Sequence, residues 1–178
     1  MSTKVAINGF GRIGRAVARI LIERNGDLEL AAINDLADPK SLAHLFKYDT
    51  VFGRFNGTVE VSADGLVING KTVKVTAVRN PADLPWKELG VEIAVEATGI
   101  FREKSSAKGG YGDHIKAGAK KVILTVPAKD AIDATVVLGV NDAAITAATE
   151  SISNASCTTN CLAPLAKALN DAFGIEKA

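Results

Sequence analysis

Val5-Ala6-Ile7-Asn8-Gly9-Phe10-Gly11-Arg12-Ile13-Gly14 is the stretch on which the fold turns. A short apolar strand, Val5 to Asn8, runs directly into glycines in the pattern G-x-G-x-x-G. Arg12 to Arg24 then carries apolar residues at Ile13, Ala16, Val17, Ile20 and Leu21, a stripe with helical spacing. The glycine motif alone is weak evidence, because glycine-rich turns are common. Its context strengthens it. A strand precedes it, a helix follows it, and an acidic residue, Asp35, stands about 20 residues on, at the end of the next apolar run. Each part has a physical use in holding a dinucleotide. Gly9 permits the tight turn, Gly11 lets the backbone approach a pyrophosphate, and Gly14 lets the helix pack closely on the strand. The amides of Arg12 and Ile13 face the phosphates with the positive end of the helix dipole. Asp35 accepts hydrogen bonds from an adenosine ribose and repels a 2′-phosphate, which favours NAD over NADP. The bland reading of the same residues is a glycine turn and a capping aspartate.

Working outward, strands and helices alternate. Leu28 to Ile33 is the second strand, with Asn34-Asp35 at its carboxyl end. Asp38-Pro39 before Ser41 to Phe46 has the cap-then-proline signature of a short helix. Thr58 to Val78 differs: period-two alternation, broken by Ala63-Asp64-Gly65 and Asn69-Gly70, predicts an antiparallel meander with tight turns. Strands of parallel type return at Val91 to Ala97, Lys121 to Thr125 and Thr135 to Leu138. A helix is expected around Ser105 to Lys116, interrupted or ended by Gly109-Gly110-Tyr111-Gly112. This order predicts an α/β fold with a doubly wound, mostly parallel sheet of Rossmann type and an antiparallel meander. The expected division is a dinucleotide-binding domain over residues 1–150, then over 151–178 the beginning of an α+β catalytic domain.

Composition narrows the function. Hydrophobic residues make up 47% of the 178-residue chain and charged residues 23%, enough to bury a core. With 21 basic and 20 acidic residues the net charge is +1, so no long-range field draws it to nucleic acid or a membrane. No apolar run approaches the roughly 20 residues that span a bilayer. Met1-Ser2-Thr3-Lys4 runs straight into a strand rather than into a signal-peptide core, and a cytoplasmic location is expected.

The second chemical signal is Ser153-Asn154-Ala155-Ser156-Cys157-Thr158-Thr159-Asn160-Cys161-Leu162. Small polar residues precede an apolar helical pattern, which places Cys157 at a helix N-terminus, where the dipole stabilises a thiolate. Such a thiolate can attack a carbonyl, with backbone amides or the Thr158 hydroxyl stabilising the oxyanion. A buried core cysteine is the competing reading. Cys161, one turn on, is expected to be packed and inert. Zinc is disfavoured, because the chain has two cysteines and its two histidines, His44 and His114, are distant in sequence. Both histidines read as structural or surface residues, and no metal site is expected.

Asn8-Gly9-Phe10-Gly11-Arg12-Ile13-Gly14-Arg15 and Ser153 through Cys157-Thr158-Thr159-Asn160-Cys161 to Leu165 resemble the two signatures of phosphorylating glyceraldehyde-3-phosphate dehydrogenase. Lys47-Tyr48-Asp49, Glu96-Ala97-Thr98-Gly99 and Pro127-Ala128-Lys129-Asp130 are similar to further segments of that family, in the same order. Ser105 to Asp113, with its Gly-Gly-Tyr-Gly, is more variable and lies outside the implied sites. The resemblance implies a cofactor site, for NAD, made by Gly9, Phe10, Gly11, Arg12, Ile13, Gly14, Asp35, Arg79, Thr98, Gly99 and Thr125. It implies that Cys157 is the nucleophile, with Ser156 and Thr158 beside it in the substrate pocket. The implied reaction oxidises glyceraldehyde 3-phosphate through a hemithioacetal and a thioester that inorganic phosphate cleaves to 1,3-bisphosphoglycerate, in a glycolytic homotetramer. In that family the histidine that activates the thiol lies shortly beyond the cysteine helix. The chain is therefore expected to correspond to the family's N-terminal half and to turn over little on its own. Two other readings are an erythrose-4-phosphate dehydrogenase and a non-catalytic NAD-binding fragment or interaction module.

Overall fold

The computed structural model describes residues 2–24 and 26–177. In chain order these form β1 (Thr3–Asn8), α1 (Arg12–Arg24), β2 (Leu28–Asn34), α2 (Pro39–Lys47), β3 (Val59–Ser62), β4 (Gly65–Ile68) and β5 (Lys71–Thr76). There follow α3 (Trp86–Leu89), β6 (Ile93–Glu96), α4 (Asp113–Lys116), β7 (Lys121–Leu124), β8 (Ala134–Thr135), β9 (Ser151–Ser153) and α5 (Cys157–Phe173). The nine strands make one sheet in the order β3-β4-β5-β2-β1-β6-β7-β9-β8. The β3-β4 and β4-β5 pairs are antiparallel and all others are parallel, so the meander forms one wing of a Rossmann sheet.

The parallel strands are apolar because both faces are covered. On β1, Val5 and Ile7 join a core with Phe10, Ala18, Leu42 and Phe46, whereas Ala6 faces the other core with Trp86, Tyr111, Val122 and Leu124. The register between β1 and β2 steps from Val5↔Leu30 to Ala6↔Ala32, leaving Ala31 as an extra residue. That step is why Leu30 and Ile33, three apart, share a core while Ala32 serves the opposite one. On α2, Asp38 caps the helix by accepting from the Lys40 and Ser41 amides, and Pro39 occupies the first turn.

Several expectations are revised. The buried face of α1 is Gly14, Ala18 and Arg19, while Ile13 and Ile20 are half exposed. Arg19 lies inside because its guanidinium donates to the Phe46 and Gly53 carbonyls and rests over the Phe46 and Phe55 rings. The helix expected over Ser105 to Lys116 contracts to α4. Gly110 lies so close to the Glu103 and Lys104 carbonyls that no side chain fits there, and the segment turns rather than winds. Tyr111 then plugs the core, its hydroxyl donating to Asp130 Oδ1 (3.0 Å). The strand expected at Thr135 to Leu138 is only Ala134–Thr135. Ser151–Ser153, assigned from sequence to a second domain, lies within this sheet between β7 and β8, so the sheet continues past residue 150. Asp133 fastens it there by accepting from the Glu150 and Ser151 amides.

Candidate functional site

The parallel strands β2, β1, β6, β7 and β9 end at one edge of the sheet, the edge where open α/β sheets hold their ligands. A cleft of about 320 Å³ opens there, of a size suited to a cofactor. Its walls are the strand ends and the turns after them: Asn8, Gly9 and Gly11; Asn34, Asp35 and Leu36; Val78 and Arg79; Ala97, Thr98, Ile100 and Phe101. Gly9 has φ +93°, and a Cβ on it would come within 2.7 Å of the Thr98 nitrogen, so only glycine lets these two turns meet. A methyl on Gly14 would collide with the Gly9 carbonyl, which keeps α1 against the turn.

Asp35 is set in place before any ligand arrives. One carboxylate oxygen accepts from the Phe10 amide (2.7 Å) and the other from the Ala37 amide (2.9 Å). Its fixed orientation at the end of β2 suits a ribose diol, and its charge is poorly suited to a phosphate. Arg12 and Ile13 stand exposed at the start of α1, with their amides in the first helical turn. Thr98 is tied to Glu96 through its amide (2.8 Å) and its hydroxyl. Gly99 follows with φ +72°. Thr125 caps β7, where both its amide and its hydroxyl bond the Glu96 carbonyl.

Of the residues named from sequence, Gly9, Gly11, Asp35, Arg79 and Thr98 therefore line one cleft. Phe10 does not fit its expected place. Its ring is buried and stacked 5.7 Å from Phe46, so the side chain belongs to the core and only its backbone faces the turn. The sequence reading passed over Asn8, Asn34 and Glu96. Each is a polar residue closing an apolar strand, and that position was the available signal.

The cysteine segment reaches the same sheet edge. The Asn154 amide bonds the Leu124 carbonyl, so the chain leaving β9 starts beside the end of β7. Ala155, buried, takes φ +56°, a conformation costly for a residue with a Cβ and held here by the Ser153 hydroxyl. Ser156 then caps α5 by accepting from the Thr159 amide (3.0 Å), and Cys157 is the first helical residue. Ser156 Oγ also lies 2.9 Å from Thr158 Oγ1, so Ser156, Cys157 and Thr158 form one polar tip. Asn160 secures the turn by donating to the Asn154 and Ser156 carbonyls. Cys157 is exposed, as a nucleophile must be. Cys161 is exposed too, not packed as expected, because α5 buries none of its residues in this chain.

Comparison with known proteins agrees with this geometry. The family model described as the glyceraldehyde 3-phosphate dehydrogenase NAD binding domain matches residues 3–104, and that of the C-terminal domain matches residues 156–178. The glyceraldehyde-3-phosphate dehydrogenase of Borreliella burgdorferi is 57% identical over 175 residues, covering 98% of this chain and 51% of its own. That of Xanthobacter flavus is 57% identical over 178 residues, covering 99% and 52%. That of Streptomyces coelicolor is 52% identical over 178 residues, with the same coverage. The chain thus spans about half the length of the curated relatives it matches. A mostly parallel sheet with a cleft at its carboxyl edge, matched over most of its length by an NAD-binding domain, makes NAD the cofactor, and the chain belongs to the glyceraldehyde-3-phosphate dehydrogenase family.

Proposed function

We propose that this chain serves the NAD-dependent, phosphorylating oxidation of glyceraldehyde 3-phosphate to 1,3-bisphosphoglycerate, a glycolytic step. One observation carries the reading: Cys157, exposed at the first residue of a 17-residue helix, emerges at the sheet edge that also holds the dinucleotide cleft. Asp35 would hold the adenosine ribose, the amides of Arg12 and Ile13 the pyrophosphate, and Arg79, Thr98, Gly99 and Thr125 the remainder of the cofactor. NAD, when bound, supplies the hydride acceptor.

The Cys157 thiolate, favoured by the helix dipole, adds to the aldehyde carbon and forms a C–S bond. Charge then develops on the former carbonyl oxygen, where the amides of the first turn and the Thr158 hydroxyl can meet it. After oxidation the acyl group remains on Cys157 as a thioester. An oxygen of inorganic phosphate attacks that carbon, the C–S bond breaks, and the thiolate is restored as the acyl phosphate leaves. Family membership supports this substrate and a homotetrameric assembly, and the two free thiols agree with a cytoplasmic setting.

The test is acyl trapping. With glyceraldehyde 3-phosphate and NAD but no phosphate, the peptide containing Cys157 should gain the mass of the acyl group, and added phosphate should release it. NAD binding with no adduct on Cys157 would sink the reading.

A further inference from the structure

Glu96 is the last residue of β6, fully buried, and it carries the most heavily bonded carboxylate near the cleft. Oε1 accepts from the Thr98 amide (2.8 Å) and from the Thr98 hydroxyl. Oε2 accepts from Asn8 Nδ2 (2.6 Å) and lies 2.9 Å from His114 Nε2. The state of His114 follows from its other nitrogen. Trp86 Nε1 lies 2.9 Å from Nδ1, and an indole can only donate, so Nδ1 accepts and the single ring proton sits on Nε2, facing Glu96. His114 is thus neutral. Among the described residues no lysine or arginine pairs with Glu96. Its donors are an amide, a carboxamide, a hydroxyl and a neutral imidazole, so the carboxylate is solvated by dipoles and its charge is not cancelled.

That charge lies directly under the cleft. Asn8 and Thr98, two of its donors, are cleft walls. Asn8 in turn accepts from Asn34 Nδ2 (2.8 Å), and Asn34 accepts from the Val78 amide (2.8 Å), so one hydrogen-bonded chain links all four wall segments to Glu96. With the adenosine end at β2 and the pyrophosphate at α1, strand order carries the other end of a dinucleotide over β6 and β7. The nicotinamide ring is a cation when oxidised and neutral when reduced.

We propose that Glu96 is a positioning residue that also sets redox preference: its buried charge under the cleft favours the cationic ring of NAD+ over the neutral ring of NADH. The inference rests on NAD occupying this cleft. A buried charge without a counterion is tolerated when its lone pairs are filled, and its field is screened less than that of a surface charge.

The experiment is calorimetric titration of NAD+, NADH and ADP-ribose, which lacks the nicotinamide, into the chain and into Glu96→Gln and Glu96→Asp. The unsubstituted chain should bind NAD+ roughly tenfold more tightly than NADH, the order expected of one partly screened charge pair across a cleft. Glu96→Gln, which keeps shape and loses charge, should erase most of that ratio. Glu96→Asp, which keeps charge and loses reach, should weaken both nucleotides while preserving the ratio. Equal affinities in the unsubstituted chain overturn the inference even if no variant folds. A ratio that both variants lose alike reduces Glu96 to a structural role. Failure to bind either nucleotide or ADP-ribose would instead count against the cleft as the cofactor site.

Discussion

The sheet and the helix that follows it meet the same physical requirement in opposite ways. From β1 to β9 the chain buries its own apolar residues, with Ile7, Ile33, Phe46, Leu66, Trp86 and Leu124 almost wholly removed from water. In α5, Leu162 is 64% exposed, Leu165 59% and Phe173 85%, and no residue is buried. Yet the helix begins with much local order: a serine cap, a strained alanine held by one hydrogen bond, and an asparagine bonding two carbonyls. The cleft is thus built by a sheet that buries its own core, and the cysteine proposed as nucleophile is presented by an element fixed at only one end.

The largest test of that contrast is chemical. In an assay of the proposed oxidation, Cys157→Ser should lower kcat by roughly a thousandfold or more, the scale of losing a covalent nucleophile. Cys161→Ser should change it only modestly, and iodoacetamide mapping should find Cys157 labelled first. Faster labelling of Cys161 would exchange their roles.

Stability should show the reverse dependence. Gly14→Ala drives a methyl into the Gly9 carbonyl and should cost roughly 1–3 kcal/mol or more in urea unfolding. Leu165→Ala, on the exposed face of α5, should stay within about 0.5 kcal/mol in this chain. A large loss at Leu165 would mean that the helix already has a partner. Limited proteolysis sharpens the same point: cleavage should begin within α5, beyond β9, and leave the sheet intact. A fully resistant chain would remove the contrast.

Asp35→Ala should weaken NAD by about 1–3 kcal/mol and narrow the margin over NADP, measured by titration of both. Equal affinities before substitution would defeat the ribose assignment.

The smallest effect concerns Asp133 and the last strand. The amides of Ser151 and Glu150 hold its carboxyl below the usual carboxylate range. A depressed folded-state pKa contributes stability above the unfolded value of about 4, and that contribution fades as pH falls through the lowered value. The Tm advantage of the unsubstituted chain over Asp133→Asn should therefore be constant from pH 7 to about 5 and shrink below it. An advantage that persists at pH 2 would assign it to packing.

Much of this was local and therefore legible. Strand, turn and helix around Gly9-x-Gly11-x-x-Gly14 follow from apolar runs and glycine chemistry within a few residues, as do the Asp38 cap and the Asn69-Gly70 turn, where both residues take positive φ. The positions of Asp35 and Cys157 were also readable, because a strand end and a helix N-terminus are places that a linear pattern marks. The rest depends on which distant residues meet. That Phe10 turns inward onto Phe46, that Ser151–Ser153 enters the sheet beside β7, and that Arg19 is buried against carbonyls 27 and 34 residues away are outcomes of packing. The chain from Trp86 through His114, Glu96 and Asn8 to Asn34 spans five elements. No periodicity encodes it, since a buried polar side chain is defined by its hydrogen-bond partners, and only the folded sheet brings those partners within reach.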